Sequence, residues 1–375
     1  MQHIAPLIAT PSEYLNKHTP DAPILFFAPA VLQATAHQFQ DGFDGLVTYA
    51  VKANDRAAVL SNLVAAGITT FDVASPGEMR AVRDVCPTAT LHYNNPMRSD
   101  AEVAAGIAAG VASWSVDDMS ELAKLTGAPR NNEVAVRLAL PVKGAAYDFG
   151  DKFGATPGAA AQLLRAVVQM GFIPALSFHP GTQCTDPQAW CAYVVEAARI
   201  ATMAGVKVAR LNIGGGFAVD RGAGRPDHGA VFDAVERAVA SGFGNDAPKL
   251  VCEPGRAMVA PSCVLATQIK GMRGQAVYLN DGIYGGLVDL RDMGLTGLVS
   301  VLGPGGMRRA NPTPRVVFGP TCDSLDRLPD GLGLPDDTAV GDYVLFGTMG
   351  AYSIAMSTPF NGYGVDRIEM VARLS

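Results

Sequence analysis

The sequence predicts an α/β fold combined with a β fold: a (β/α)8 barrel of the TIM type and a C-terminal all-β domain. Two observations predict it. Between residues 46 and 253, short apolar runs alternate with alanine-rich segments of helical spacing, and after residue 258 apolar runs follow one another without a long helix. Strand–helix alternation is typical of βαβ units in a parallel sheet, and an open doubly wound sheet is the competing arrangement.

The apolar runs supply the strands of the predicted barrel. Segments with helical spacing, such as 56–67, 100–110 and 159–171, separate them. About eight strands close a TIM-type barrel, which typically takes about 250 residues. The predicted barrel strands are 46–51, 69–74, 90–94, 112–116, 133–140, 173–178, 208–213 and 249–254.

The all-β domain is predicted from the pattern of apolar runs and turn residues in the C-terminal part of the sequence. Its apolar runs are separated by Gly, Pro and Asp turns, which is typical of strands. We expect the segment before residue 24 to join this domain. The predicted domains are therefore a barrel over 24–258 and a β-domain over 1–23 and 259–375, with strands within 263–272, 275–285, 315–321 and 342–352.

Composition and charge exclude several classes of protein. The chain of 375 residues is 49% hydrophobic with a net charge of −6, and it has no basic cluster beyond 307–309, so we expect no nucleic-acid partner. Its six cysteines form no CxxC pair, which argues against a metal site or a disulfide framework and favours a reducing compartment. The N-terminus does not resemble a signal peptide. The uncharged stretch 343–364 contains four glycines and a proline, so we expect no membrane partner and a soluble, cytoplasmic protein.

Polar residues recur at the predicted carboxyl ends of the barrel strands. A barrel places its chemistry at these ends, because the loops that follow the strands meet at one mouth. Each residue taken alone has a simpler structural explanation: a solvated lysine, a core histidine or a tight glycine turn. Together they indicate a site. They are Lys52, Asp72, Asn94, Asn95, Arg137, His179, Gly214, Gly215, Gly216, Glu253 and Arg256.

The chemistry of this set points to one cofactor. Lys52 ends an apolar run, where burial of an ammonium group is costly. A lysine at this position is therefore explained if its amine serves as a nucleophile. Three successive glycines expose backbone N–H groups suited to a phosphate, and the loops after strands seven and eight are the recurrent phosphate site of barrels. An amine nucleophile, an anion site, an imidazole and a carboxylate are what pyridoxal 5'-phosphate requires.

Motifs along nearly the whole chain, roughly 23–363, carry a family resemblance. The sequence resembles the pyridoxal-phosphate-dependent decarboxylases of ornithine, lysine and arginine, which have an alanine-racemase-like barrel (fold type III). The order of the motifs is more specific than any one of them. They are YAVKAN (49–54), FDVAS (71–75), SFHPGTQC (177–184), NIGGGF (212–217), CEPGR (252–256), NDGIYG (280–285), GPTCDSLD (319–326), MGAYS (349–353) and FNGY (360–363).

The resemblance implies roles for the cofactor site. Lys52 matches the lysine that forms the Schiff base with the cofactor, His179 the imidazole that stacks on its ring, and Glu253 the carboxylate that keeps its ring nitrogen protonated. Asp72 and Arg137 match positions that line the site. The residues that match the phosphate ligands are Gly214, Gly215, Gly216, Arg256 and Tyr352, with Thr182 where the family often has serine.

The resemblance also implies a second catalytic residue and a homodimer. Cys322 matches the residue that reprotonates the carbon from which CO2 has left, and Asp323 matches the contact to the distal amine of the substrate. In the family these two residues reach the active site of the other subunit, so a homodimer with active sites at the interface is implied. An aspartate in such a turn can also simply cap backbone N–H groups.

The substrate is read from the acidic residues near these motifs. Diaminopimelate decarboxylases usually have glutamate after the cysteine, whereas this chain has Asp323. The carboxylate of Asp323 is suited to the distal ammonium of a substrate, so ornithine is favoured. A second acidic contact is expected at Asp292, although Arg291 replaces the usual tyrosine before it and Asp289 is an alternative. Phe360 is assigned to the substrate site. The predicted reaction is L-ornithine to putrescine, in polyamine biosynthesis; the alternatives are a lysine or other diamino-acid decarboxylase (including diaminopimelate), a non-catalytic binding paralogue and a racemase.

Overall fold

The structure is a computed structural model that describes residues 8–142, 146 and 152–375. Contacts divide the chain into two compact units. One consists of Thr35–Ala218 and Pro226–Ala257, and the other consists of the described residues up to Ala34 with Val219–Arg225 and Met258–Ser375.

The first unit is the predicted parallel barrel. Its strands pair in chain order, and every neighbouring pair is parallel. Each of the predicted runs forms a strand, somewhat shorter than its apolar segment. The strands are Leu46–Val47 with Tyr49–Ala50, Thr70–Val73, Thr90–Tyr93, Ser113–Val116, Glu133–Arg137, Ile173–Ser177, Arg210–Asn212 and Lys249–Cys252.

The barrel closes through the run 46–51, which the backbone divides into two short strands. Leu46–Val47 pairs with the last barrel strand, and Tyr49–Ala50 pairs with the second. Between the two strands, the Thr48 N–H and hydroxyl both donate to the carbonyl oxygen of Cys252, at 2.9 and 3.2 Å. One apolar run therefore hydrogen-bonds to both neighbours, which confirms the closed barrel over the open doubly wound sheet.

Helices follow the strands, and several begin at the side-chain caps that their sequences supply. Before the helix Asp100–Ala108, the Ser99 hydroxyl accepts the Glu102 N–H, and the Glu102 carboxylate accepts the Ser99 N–H at 2.7 Å, a capping box. The helices of this unit are Ala57–Ala65, Pro76–Val85, Asp100–Ala108, Met119–Ala123, Pro157–Gln169, Pro187–Ala204 and His228–Phe243; Pro29–Gly42 and Arg256–Val259 contribute residues to both units.

The second unit contains a mixed nine-stranded sheet, which confirms the predicted all-β domain. The long strand Cys263–Arg273 pairs antiparallel with three others. Ile24–Phe27 is one of these partners, although the predicted boundary at residue 24 placed it with the barrel. The other strands are Ala276–Leu279, Val299–Gly303, Gly306–Met307, Pro312–Phe318, Leu332–Pro335, Tyr343–Gly347 and Ile368–Met370, with helices Pro11–His18 and Val288–Met293.

No helix in the described ranges combines the length and apolarity needed to cross a bilayer. The same ranges contain no group of three or more His, Cys, Asp or Glu side chains arranged to hold a metal ion.

Candidate active site

A cavity of about 340 Å³ lies in the barrel unit and is lined by residues from the carboxyl ends of the strands. It brings together most of the polar residues singled out from the sequence of this unit. Five further polar residues, which the sequence pattern did not single out, also line it: Glu78, Ser115, Lys152, Ser177 and Asn212. The predicted residues that line it are Lys52, Asp72, Asn94, Asn95, Arg137, His179 and Glu253.

Lys52 is presented to this cavity by a tight turn. It lies in the single 3-10 turn Val51–Ala53, directly after the strand Tyr49–Ala50. Both neighbours of Lys52 in the turn are buried, whereas Lys52 itself is exposed. The apolar run therefore anchors the backbone, and the amine reaches a solvent-accessible cavity instead of the core.

Glu253, which is half-buried, and Asp72, which is buried, are two carboxyl groups in the cavity wall. The side-chain amides of Asn94 and Asn212 both donate to the same oxygen of Glu253, Oε1. Burial and the nearby charge of Asp72 raise the pKa of Glu253 to about 8. Burial also raises the pKa of Asp72, while the charge of Lys52 acts in the opposite direction. The two amides thus fix one oxygen of Glu253 and leave Oε2 for a bound group.

His179 is held as a neutral imidazole. Its Nδ1 accepts the Gly181 N–H at 3.1 Å, which requires the proton of the neutral ring to be on Nε2. Burial lowers the pKa of His179 well below its ordinary value, and the charges of Lys52 and Arg137 lower it further. A flat, uncharged ring is suited to contact with an aromatic ligand.

The three glycines form a backbone cradle that a Cβ atom would fill. Gly214 and Gly216 have φ of +69° and +85°, a region that favours glycine. A Cβ on Gly214 would lie 2.2 Å from the Phe178 carbonyl oxygen, and one on Gly216 would lie 2.1 Å from that of Gly181. Among the described residues, the Gly215 and Gly216 N–H groups donate to no protein acceptor. They are therefore suited to receive an anion.

Thr182 and Arg256 belong to segments next to this cradle. The Cys184 N–H donates to the Gly216 carbonyl oxygen at 2.8 Å, which ties the loop containing Thr182 to the glycines. Arg256 is buried and begins the short helix after the eighth strand. A cationic side chain, a hydroxyl and backbone N–H groups, near an amine, an imidazole and a carboxyl group, form a donor set that fits pyridoxal phosphate.

Two predicted residues of the second unit, Cys322 and Asp323, lie in one loop that contacts Tyr284 and Asn361. The Asp323 carboxylate accepts the Tyr284 hydroxyl at 2.6 Å and the Leu325 N–H at 2.9 Å, and these bonds lower its pKa. The exposed Cys322 has its Sγ 3.4 Å from the Asn361 Oδ1. Both predicted residues, Cys322 and Asp323, line an open cavity of about 370 Å³.

The remaining predicted residues of this unit have different surroundings. Phe360 is 44% exposed, and its ring centroid lies 5.2 Å from that of Tyr284. Tyr352 has a left-handed backbone with φ of +65°. Asp292 is exposed and paired with its neighbour Arg291, whose guanidinium donates to both carboxylate oxygens at 2.8 and 3.0 Å.

Asp289, the alternative to Asp292, is buried and lies 3.4 Å from the guanidinium of Arg221. Each candidate for the second acidic contact therefore has an arginine partner within the second unit. The roles of the predicted site residues remain predictions.

The barrel and its cavity define a class of protein: pyridoxal-phosphate enzymes built on an α/β barrel. Comparison with known proteins then identifies the family. A family model described as pyridoxal-dependent decarboxylase, pyridoxal binding domain, matches residues 30–260. The chain belongs to this family and is a pyridoxal-phosphate-dependent amino acid decarboxylase.

Relatives and solved structures cover most of the chain. The chain is 30% identical to the ornithine decarboxylase of Mus musculus, over 84% of this chain and 73% of the relative. It is 32% identical to the lysine/ornithine decarboxylase of Selenomonas ruminantium, over 88% of this chain and 86% of the relative. The structure of the arginine decarboxylase of Paramecium bursaria Chlorella virus superposes with a TM-score of 0.85 at 26% identity, over 95% and 98% of the two chains.

Proposed function

We propose that this enzyme removes the α-carboxyl group of a basic L-amino acid, and that L-ornithine, which would yield putrescine for polyamine biosynthesis, is its preferred substrate. The observation that carries the proposal is the carboxylate of Asp323, which the Tyr284 hydroxyl and a backbone N–H keep ionised. A fixed anion beside an open cavity is suited to the distal ammonium of such a substrate. The names of the relatives, which include ornithine and lysine decarboxylases, support the same class.

Residues of the barrel unit, together with Tyr352, would hold the cofactor. When bound, pyridoxal phosphate supplies an electron-withdrawing ring that accepts the electron pair of the broken C–C bond. Lys52 would contribute the amine that binds the cofactor covalently, and His179 would contact the ring. The phosphate would be bound by Gly214, Gly215, Gly216, Arg256, Thr182 and Tyr352, while Asp72 and Arg137 would line the site.

Glu253 would control the proton on the cofactor ring nitrogen. With a pKa of about 8, which already includes the lowering by the charges of Lys52 and Arg137, its carboxyl group retains a proton near neutral pH in the cofactor-free protein. Glu253 would give up that proton to a basic ring nitrogen of the bound cofactor, and its carboxylate would then hold the proton there. Asn94 and Asn212 would keep Oε1 in place during this exchange.

Cys322 and Asp323 would act on the substrate. Asp323 would bind the distal ammonium, and the thiol of Cys322 would deliver a proton to the carbon that has lost CO2. We include Phe360 as an apolar contact for the substrate chain and Asp292 as a second acidic contact, although Arg291 neutralises much of its charge. All six cysteines are free thiols, which supports a cytoplasmic, reducing environment.

A substrate panel tests this proposal. CO2 release is measured with L-ornithine, L-lysine, L-arginine and meso-diaminopimelate at equal concentrations. We expect the highest kcat/KM with ornithine, because one carboxylate at a fixed distance favours one chain length, and lysine to come second. Asp323→Asn should raise the KM for ornithine roughly 10- to 100-fold, since it removes a charged hydrogen-bond partner. Turnover of diaminopimelate alone, or of none of the four, would contradict the proposal.

We also propose that two copies of the chain form a homodimer in which Cys322 of one subunit serves the other subunit's cofactor site. The exposure of Cys322 on its own unit supports this. Mixing two inactive variants, Lys52→Ala and Cys322→Ala, should restore up to about a quarter of the wild-type activity, because half of randomly formed dimers would contain one intact site of two. A mixture that stays as inactive as its components, although exchange is shown by native mass spectrometry, would contradict shared sites.

A further inference from the structure

The loops that carry Cys322 and Tyr284 are joined by one buried carboxylate, that of Asp326. Its side chain is 1% exposed. Oδ1 accepts the Ile283 N–H at 3.0 Å, and Oδ2 accepts the Thr321 N–H at 3.1 Å and the Thr321 hydroxyl at 2.8 Å. Three donors from two loops therefore converge on a single carboxylate.

These donors lie next in sequence to residues of the proposed substrate site. Thr321 directly precedes Cys322, and Ile283 directly precedes Tyr284, whose hydroxyl donates to Asp323. The backbone of Asp326 adds to the same arrangement, because its N–H donates to the Asp323 carbonyl oxygen at 3.0 Å. Any shift of the Asp326 carboxylate would consequently move both partners of the Tyr284–Asp323 hydrogen bond.

Two glycines make room for the Asp326 carboxylate. A Cβ on Gly282 would lie 2.1 Å from its Oδ1, and a Cβ on Gly319 would lie 2.2 Å from its Oδ2. The carboxylate is thus in direct contact with the backbone of both loops. In the described part of the chain it forms no ion pair, so its hydrogen bonds have to compensate its burial.

We propose that Asp326 is a positioning residue for the distal-amine site: it fixes the Cys322–Asp323 segment against the Tyr284 turn, so that the Asp323 carboxylate and the Cys322 thiol face the substrate in one geometry. This inference rests on the proposed function of Asp323. It assigns Asp326 no contact with substrate or cofactor.

The first test compares binding of a diamine and a monoamine to the holoenzyme. Inhibition constants of 1,4-diaminobutane and 1-aminobutane are measured for the wild type, Asp326→Asn and the exposed control Asp330→Asn. The amide introduced by Asp326→Asn would place its own N–H groups opposite the N–H of Ile283 or of Thr321. That backbone donor would lose its acceptor, which costs the free energy typical of a buried unsatisfied polar group. We expect the preference for the diamine to fall roughly 5- to 50-fold in Asp326→Asn. Asp330→Asn should leave it unchanged.

A purely structural role would weaken both amines equally or lower the thermal midpoint without changing their ratio. Thr321→Val, which removes one of the three donors, provides a milder variant and should shift the ratio in the same direction by a smaller factor. Tyr284→Phe combined with Asp326→Asn should cost less than the product of the two single effects, since both act through Asp323. An unchanged ratio in Asp326→Asn and Thr321→Val would overturn the proposal.

A readout that needs no turnover separates this proposal from the proposed function. The alkylation rate of Cys322 by iodoacetamide is followed by peptide mass spectrometry, with Cys86 of the same chain as internal reference. A loosened loop should change the Cys322 rate at least roughly threefold relative to Cys86 in Asp326→Asn, because thiol reactivity follows access and thiolate stabilisation. If that change occurs but no basic amino acid is decarboxylated by the wild type, the proposed substrate fails while the positioning by Asp326 stands. An unchanged rate would overturn the positioning role.

Discussion

Replacement of Lys52 with alanine is expected to lower turnover by at least roughly 10²–10⁴-fold, the range in which a positioned proton-transferring side chain contributes. Lys52 is also the proposed covalent attachment point of the cofactor, so the visible absorbance of the bound cofactor should shift or disappear. The physical reason is its location: the buried neighbours in the turn Val51–Ala53 fix the backbone, and the amine reaches the cavity lined by His179 and Glu253.

The chain offers a matched control for this variant. Lys152 lines the same cavity but lies outside the strand ends, and its ammonium is 5.1 Å from the Phe153 ring centroid. Lys152→Ala should retain the absorbance band of the bound cofactor and alter kcat less than about tenfold, since it removes neither the attachment point nor a proton-transferring group. Equal losses in both variants would indicate a general effect of positive charge in the cavity, and near-normal turnover in Lys52→Ala would refute its assigned role.

Substitution of Glu253 by glutamine is expected to produce the second-largest effect, a loss of roughly 10²–10³-fold in kcat. This is the range observed when one preorganised electrostatic partner is removed. Glutamine preserves the size of the side chain and an acceptor for the Asn94 and Asn212 amides, but it cannot become an anion. It therefore cannot hold a proton on the cofactor ring nitrogen. Glu78→Gln, which changes another carboxyl group of the cavity, is the control and should reduce kcat less.

The same substitution has a predicted effect on the stability of the cofactor-free protein. The pKa of Glu253 is raised from an ordinary value of 4.5 to about 8, so the folded protein favours the protonated form. The contribution of the Glu253 carboxyl group to the free energy of unfolding is fully present below about pH 4.5 and is lost as the pH rises through about 8. The reason is that the unfolded chain releases this proton at a lower pH than the folded protein does. Denaturant unfolding of the wild type and Glu253→Gln between about pH 5 and pH 9 should show the variant gaining relative stability with rising pH. A constant difference would contradict the raised pKa.

The barrel could be predicted from the sequence because its signal is local and repeated. Each strand is an apolar run next to a helix-forming segment, and closure followed from their number. The assignment of Ile24–Phe27 to the barrel domain rested on sequence position, and an apolar run carries no information about which sheet it joins. In the structure it pairs with Cys263–Arg273.

Candidate site residues could be predicted from the sequence where they stand at the ends of strands, and less well where they lie elsewhere. Lys52, His179 and Glu253 stand at strand ends and line the cavity as expected. Asn212 also ends a strand and could have been found by that criterion, whereas Glu78 lies in the first turn of a helix, where an acidic residue is ordinary. The pairing of Arg291 with Asp292 depends on side-chain conformation, which a linear pattern does not specify.

The most direct test of the central claim is to identify the side chain that binds the cofactor aldehyde. The purified protein, loaded with pyridoxal phosphate, is reduced with borohydride, digested and analysed by peptide mass spectrometry. The account predicts a stoichiometric pyridoxyl label on Lys52 and none on Lys152. A label on Lys152 or another lysine, or no label on a protein that nevertheless decarboxylates its substrate, would contradict it.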